Sequence, residues 1–151
     1  VKNRDLTELK KGGADMLAGV ERFYSAMGRD DGQPPQGLAR NCRWAVNGQE
    51  VARCAQPFTG RQLQPIEQVR DRSVLAVDEA RGLVVMSTFE DFAAHPQEFR
   101  DASGKTFRDS LHYPRTLQVV ELFRFEKGEV TRVEAWTSEL PYGMQPLRAA
   151  R

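Results

Sequence analysis

The sequence predicts an α+β fold, in which helices cover one side of an antiparallel sheet. Three observations lead to this prediction: a helical pattern opens the chain, the later part consists of strands joined by short turns, and strands do not alternate with helices. A doubly wound parallel sheet requires that alternation and is therefore not expected. The length of 151 residues fits a single domain over 1–151.

The first element is predicted to be a helix over about residues 6–27. Apolar residues recur there at helical spacing, most clearly over 15–27. Gly28 ends the pattern, and the prolines at 34 and 35 prevent the helix from resuming.

A β-hairpin and a second helix are expected next. The hairpin spans 42–53, because Asn47-Gly48 is a strong signal for a two-residue turn. The helix spans 57–69, with Thr59 as a candidate N-cap and an apolar residue at every third position.

The remainder of the chain is predicted to form strands. They span 73–77, 83–92, 113–125 and 129–137, and turns are expected at 78–82 and 126–128. The segment 113–137 is therefore a closing β-hairpin. The polar loop 93–110 is expected to carry a small helix around 96–99, and 140–144 is expected to be a C-terminal turn.

The two cysteines flank the first hairpin turn. A two-residue turn places Cys42 opposite Arg53 and puts Cys54 one residue out of register, so a disulfide would need a bulge or a longer loop. This register favours two free thiols. Without a CxxC motif or a His/Cys cluster, no metal site is expected.

Composition narrows the classes of partner and location. The net charge of +1 and the lack of glycine-rich phosphate motifs argue against a nucleic-acid partner and against a nucleotide cofactor. No other cofactor is expected. The longest apolar stretch, 83–86, is too short to cross a bilayer, so no membrane association is expected. No signal-peptide pattern is visible, which favours the cytoplasm. The chain opens with Val1, so removal of an export signal stays open.

Three segments resemble a known superfamily. The hairpin 119–136, the pair of segments at 70–72 and 77–84, and the ending Leu-Pro-Tyr-Gly-Met at 140–144 are similar to SnoaL-like, nuclear-transport-factor-2-like proteins. They are most similar to a largely uncharacterised bacterial and fungal branch. That branch often has His-Pro-Asp before its first cysteine. This chain has 37–41 there instead, so no role for that histidine is carried over.

The resemblance implies a cone-shaped, strongly curved, mixed sheet wrapped around a long N-terminal helix, a small α+β barrel with a conical cavity. Such proteins include isomerases, dehydratases, epoxide hydrolases, polyketide cyclases and lyases, and also proteins that only bind. The resemblance also implies a homodimer or a higher homo-oligomer. Fold alone does not choose among these activities.

Four residues are candidates for catalysis. Glu121 is an acidic residue in an otherwise apolar row of a strand, where burial would raise its pKa, although a salt bridge to an arginine at position 115, 124 or 132 explains it equally. Asp91 ends a similar row at a strand end and could instead cap a loop. His112 and Tyr113 precede the longest strand, where they could move protons or hold an oxyanion.

Further residues are candidates for contact with a ligand. The aromatic ones are equally explained as core residues, the charged ones as a solvated face or a tie between helix and sheet. They are Tyr24, Trp44, Arg72, Phe89, Arg115, Phe123, Glu134, Trp136 and Tyr142.

These residues suggest a cofactor-independent lyase or isomerase acting on a small hydrophobic, aromatic or polyketide-like molecule. Dehydration and retro-aldol cleavage need only acid/base groups and an oxyanion donor. The alternatives are a non-catalytic small-molecule-binding protein of the same fold, which would have its carboxylates paired to arginines, and a pure assembly domain.

Overall fold

The structure is a computed structural model that describes residues 11–29, 31–63, 65–93, 98–100, 104–108 and 113–146. Its elements in chain order are α1 (Lys11–Arg29), β1 (Leu38–Val46), β2 (Gln49–Arg53), α2 (Gln56–Thr59), β3 (Ile66–Asp78), β4 (Leu83–Phe92), β5 (Glu98–Arg100), β6 (Thr106–Arg108), β7 (Arg115–Glu126) and β8 (Glu129–Pro141).

Six strands form one mixed sheet in the order β2-β1-β8-β7-β4-β3. β1 runs parallel to β8, and the other neighbours are antiparallel. β5 and β6 form a separate hairpin. A long helix beside a mixed sheet confirms the predicted α+β class. The sheet is open, with β2 and β3 at its edges.

The hydrophobic core lies between α1 and one face of this sheet, which we call the inner face. Phe23 of α1 sits at its centre and packs edge-on against Trp44, Phe58 and Phe123, with ring centroids 5.2, 5.3 and 5.2 Å away. Aromatic pairs in this geometry stabilise a core beyond their buried area. The packing therefore fixes the helix to β1 and β7.

Strand alternation decides which side chains reach the inner face. On β7 they are Leu117, Val119, Glu121 and Phe123, and on β4 the residues paired opposite them are Glu90, Thr88, Met86 and Val84. Directly opposed residues share a face. The odd-numbered residues of β4, including Phe89 and Asp91, therefore lie on the other side, the outer face.

The second predicted helix is mostly wrong. α2 ends at Thr59, since Gly60 follows and Arg61 has a left-handed backbone with φ 50°. From Ile66 onward the chain belongs to β3, which begins seven residues before the predicted strand. Apolar residues three apart also fit a bulged strand, and the β3–β4 register does shift between Ile66 and Gln68.

The loop after β4 also differs from the expectation. Residues 98 and 99, assigned to a small helix by the sequence, lie in β5. Positions 96 and 97 of that predicted helix lie outside the described residues, as do positions 6–10 of the first one.

Cys42 and Cys54 form a disulfide, so the prediction of two free thiols is wrong. The turn at Asn47-Gly48 has the expected two residues, both with positive φ. A register shift between Trp44 and Ala45 supplies the bulge that pairing requires. It brings the two Cα atoms within 5.3 Å of each other.

Candidate active site

Glu121 is buried on the inner face in the middle of β7. Its exposed fraction is 1%, and its carboxylate accepts a short hydrogen bond from the hydroxyl of Tyr24 on α1. Burial raises the pKa of the Glu121 carboxyl, because the charged form loses its hydration, and the Tyr24 hydrogen bond partly opposes this rise. The group is thus a carboxyl that exchanges its proton closer to neutral pH than usual.

Tyr24 is held as a proton donor. Burial, followed by the negative charge of Glu121, raises the pKa of its phenol well above the usual value. Its ring packs on Phe123 at 5.9 Å, and the guanidinium of Arg72 lies 5.7 Å from its centroid. Arg72 in turn binds Glu21 of α1 at 2.7 Å. The hydroxyl therefore stays protonated and aimed at Glu121.

The salt bridge considered for Glu121 is not formed. Arg124 and Arg132 pair opposite each other on the outer face, and Arg115 lies 3.8 Å from Glu139. Within the described part of the chain, no arginine or lysine pairs with the Glu121 carboxyl, whose pKa is raised by burial and lowered by the Tyr24 hydrogen bond. It is a buried acid without a basic partner there.

A second buried carboxyl, Glu90, was missed by the sequence reasoning. It lies on the inner face of β4 with 6% of its surface exposed. Burial raises its pKa, and the negative charge of Glu121 raises it further. Thr88, two residues earlier on the same face, is fully buried, and its hydroxyl has no hydrogen-bond partner among the described residues.

Asp91 lies on the outer face with the other residues of its predicted row, on the side of the sheet opposite Glu121. Its catalytic role stays a prediction. Its carboxylate accepts hydrogen bonds from Arg70 at 2.6 and 3.0 Å, Gln68 at 2.7 Å and Thr116 at 2.5 Å. The Arg70 guanidinium lowers the pKa of Asp91 to about 2 against the opposing effect of burial. A carboxylate so saturated with donors stays charged and serves structure.

This carboxylate holds the C-terminal turn onto the sheet. Arg70 also donates to the carbonyl oxygen of Met144 at 2.8 Å, and the amide of Gly143 donates to Thr116 at 2.9 Å. Two of the segments that carry the family resemblance, 70–72 and 140–144, thus converge on Asp91. The charged segment was expected to tie the end of the predicted helix 57–69 to the sheet, but it lies within β3, where Arg72 binds Glu21 of α1 instead.

Tyr113 and Arg115 lie at an exposed end of the sheet. The hydroxyl of Tyr113 donates to Glu139, which raises the pKa of the phenol, and the guanidinium of Arg115 stacks 4.9 Å from the ring of Phe92. They do not reach Glu121. His112 lies outside the described residues.

Three predicted ligand contacts face away from the inner side. Glu134 pairs with Arg132 on the outer face, and Trp136 on the same face is 45% exposed. Tyr142 is exposed and donates to Glu67 instead of folding over a cavity. Glu134 and Trp136 lie on the outer face because they pair opposite Leu122 and Val120 of β7, and Tyr142 follows the end of β8. Their roles as ligand contacts stay predictions.

The remaining predicted contacts are core residues. Trp44 and Phe123 are buried in the aromatic cluster around α1, and the indole nitrogen of Trp44 has no partner among the described residues. Phe89 is buried on the outer face, 5.4 Å below the guanidinium of Arg70. Of the predicted set, Tyr24, Glu121 and Phe123 are brought together.

Three surface pockets within the described ranges have volumes of about 520, 580 and 840 Å³. The first lies beside the start of α1, the second on the outer face around Phe89 and Leu75, and the third along the solvent side of α1. Glu121 and Glu90 line none of these three. The homo-oligomer stays a prediction, and the exposed Leu75 and Trp136 on the outer face are where it would be tested.

Among the described residues, no three His, Cys, Asp or Glu side chains are grouped so as to hold a metal ion. Over the same ranges, neither helix has the length and apolar character needed to cross a membrane.

The comparison with known families matches residues 11–137 to the family described as Domain of unknown function (DUF8021). The chain belongs to this family. No protein with a curated description matches the DUF8021 chain.

Solved structures of SnoaL-like and nuclear-transport-factor-2-like proteins share the fold of the DUF8021 chain. A protein from Xanthomonas campestris pv. campestris, provisionally named a polyketide cyclase, shares 22% identity over 83% of this chain and 91% of its own, with a TM-score of 0.56. A protein from Jannaschia sp. CCS1, provisionally named a SnoaL-like polyketide cyclase, shares 15% over 86% and 90%, with a TM-score of 0.55. An epoxide hydrolase-like protein from M. tuberculosis shares 12% over 83% and 84%, with a TM-score of 0.51. The similarity establishes the fold predicted from the sequence.

Proposed function

We propose that this chain is a cofactor-independent lyase or isomerase that acts on a small hydrophobic molecule, aromatic or polyketide-like, held against the inner face. The observation that carries the proposal is the Tyr24–Glu121 pair. A fully buried carboxyl with a raised pKa, and without a basic partner in the described part of the chain, costs stability. Groups of this kind are concentrated at catalytic sites.

The pair supplies what dehydration or retro-aldol cleavage requires. Glu121 accepts the proton that leaves the substrate and returns it to the leaving oxygen or to the carbanion carbon. Once Glu121 has taken up the proton, the single O–H of Tyr24, which stays protonated, is released from this carboxyl and donates to the oxygen on which negative charge develops. Tyr24 thus takes the oxyanion role that the sequence reasoning gave to Tyr113.

The structural neighbours support the general kind of chemistry. These neighbours, all of the same fold, include proteins provisionally named polyketide cyclases, one provisionally named an isomerase, and an epoxide hydrolase-like protein. Reactions of this kind rely on positioned acids and bases, which is the chemistry that Glu121 and Tyr24 offer.

A non-catalytic binding protein is the second candidate. Two of the three predicted carboxylates, Asp91 and Glu134, are paired to arginines, which is the pattern expected for binding without turnover. Under this alternative, Glu121 would serve only to orient a bound ligand.

Turnover of a panel of β-hydroxy aromatic ketones by purified protein separates the two. We expect Glu121→Gln to lower kcat by about 10²–10⁴-fold, the usual size of a general acid/base contribution. Tyr24→Phe should lower kcat by loss of the oxyanion donor. Glu50→Gln, which replaces an exposed carboxylate of β2 that is paired to Arg43, is the matched control and should retain full activity.

The pH dependence of kcat gives a second readout. If Glu121 acts as a base, kcat rises with pH through the raised pKa of this carboxyl, above the ordinary glutamate range near about 4.3. Full activity in Glu121→Gln would refute the assignment. Binding of the panel without any turnover would favour the second candidate.

A further inference from the structure

Glu90 and Glu121 belong to one polar patch on the inner face. Glu90 of β4 pairs opposite Leu117, and Glu121 of β7 pairs opposite Met86. On β4, Thr88 lies midway between Met86 and Glu90. The patch is thus built on two adjacent central strands. Both carboxyls and the threonine are buried.

The charged groups around this patch come from three other elements. From α1, Tyr24 donates to Glu121, and Glu21 stands one turn away. From β3, Arg72 lies over the Tyr24 ring but is paired to Glu21. From β8, Glu139 lies opposite Leu117 and accepts from Tyr113. From β7 itself, Arg115 stacks on Phe92, the next inward residue after Glu90, and lies 3.8 Å from Glu139. Among the described residues, no basic group is thus paired with either carboxyl.

The buried charged side chains within the described ranges are all acidic: Glu90, Asp91 and Glu121. Of these, Glu90 and Glu121 share the inner face. In a medium of low polarity, ionisation of one carboxyl makes ionisation of its neighbour harder, so a pair retains a proton where a single carboxyl would not. The protonated member can donate a hydrogen bond, and the ionised member can accept one.

We propose that Glu90 is the second acid of the site, that it shares a proton with Glu121, and that the pair selects uncharged ketones and alcohols over carboxylates. The unpartnered hydroxyl of Thr88 offers a further donor or acceptor for the same ligand oxygen. A negatively charged ligand would be repelled, because it would lie beside the carboxyls of Glu90 and Glu121 without an unpaired basic group among the described residues. The choice of ligand rests on the proposed function; the proton sharing does not.

The proton sharing is tested without any ligand. Carboxyl ¹³C resonances of labelled glutamate are titrated in the wild-type protein and in Glu90→Gln and Glu121→Gln. We expect both buried carboxyls to titrate above the ordinary glutamate range, and each to titrate at lower pH once the other is replaced by the neutral amide. Unchanged titration of Glu121 in Glu90→Gln would overturn the pairing.

The ligand selection is tested with three probes of similar size at neutral pH: acetophenone, benzoate and benzylammonium. Calorimetry should show acetophenone binding about tenfold or more tightly than benzoate, since like charges repel in a buried site. In the double variant Glu90→Gln/Glu121→Gln the two affinities should approach each other, whereas Glu50→Gln should keep the wild-type ratio.

Equal binding of benzoate, weaker binding of benzylammonium than of benzoate, or no binding of any probe would each overturn the selection. Circular dichroism verifies that each variant is folded before it is scored. The ¹³C titration does not depend on turnover. If the two carboxyls titrate as a coupled pair but the protein turns over no substrate, the proposed function is refuted and the proton sharing is supported.

Discussion

Replacing Arg70 by methionine should destabilise the protein strongly, because it leaves the Asp91 carboxylate buried without its cation. Arg70 binds both carboxylate oxygens, and the two side chains are only 16% and 2% exposed. Removing one partner of a buried ion pair costs about 3–5 kcal/mol. Methionine keeps much of the side-chain volume over Phe89, so lost packing contributes less than the stranded charge.

For a protein of this length, each kcal/mol shifts Tm by about 2–4 °C, so we expect a decrease of roughly 6–20 °C. Urea unfolding at neutral pH measures the free energy and a thermal scan measures Tm. Arg81→Met is the matched control: Arg81 binds Asp78 at 2.8 Å but is 75% exposed, and such surface pairs contribute about 0–1 kcal/mol. If both variants lose the same free energy of unfolding, the buried pair has been misjudged.

The pH dependence supplies an internal check. In the folded protein the pKa of Asp91 is lowered to about 2 from an ordinary 3.8, so the unfolded chain binds this proton first as pH falls. The stabilisation, roughly 2–3 kcal/mol, is complete above about pH 5 and is lost as pH falls to about 2. The difference between wild type and Arg70→Met should therefore narrow over this range. A constant difference would show that Asp91 is not the group responsible.

Two further changes test the fold. Replacing Cys42 and Cys54 together by alanine should lower the free energy of unfolding by about 3 kcal/mol, as expected for a bridge across 12 residues. Dithiothreitol should abolish the difference from wild type. A difference that survives the reductant would mean that lost packing is the cause. Gly82→Ala should lower the free energy of unfolding by roughly 2–3 kcal/mol, since its φ is +65° and an added Cβ would lie 2.3 Å from the carbonyl oxygen of Phe125. Gly48→Ala, with φ +80° and open space around the position, should lower it by about 1 kcal/mol. Urea unfolding measures both, and equal losses would contradict the close approach at Gly82.

The sequence located Glu121 because its strand carries a single apolar row. The other inward positions from Leu117 to Phe125 are apolar, so the alternation assigns this one carboxylate to the buried face. On β4 both rows contain apolar side chains, and alternation cannot say which one faces the helix. The pairing of Met86 with Glu121 decides it, and this puts Glu90 inside and Asp91 outside. Such register is a property of the assembled sheet, which local patterns do not carry.

Bulges account for most of the other differences. The disulfide depends on the register shift after Trp44. The inward position of Val130 depends on the register shift near Phe125, and the early start of β3 depends on the one after Ile66. Each adds one residue to one strand and reverses the faces beyond it. The element order and the α+β class do not depend on such details, which is why they were predictable.

The parallel pairing of β1 with β8 constrains how this chain can reach its native state. Asn47, in the turn after β1, receives and donates hydrogen bonds at Ala135 and Thr137, about 90 positions later. The first strand thus gains its central neighbour only after β8 has been synthesised. Closing so long a loop slows folding. Until β8 is in place, the chain exposes unpaired edges of β1 and β7, which makes this interval its most aggregation-prone stage.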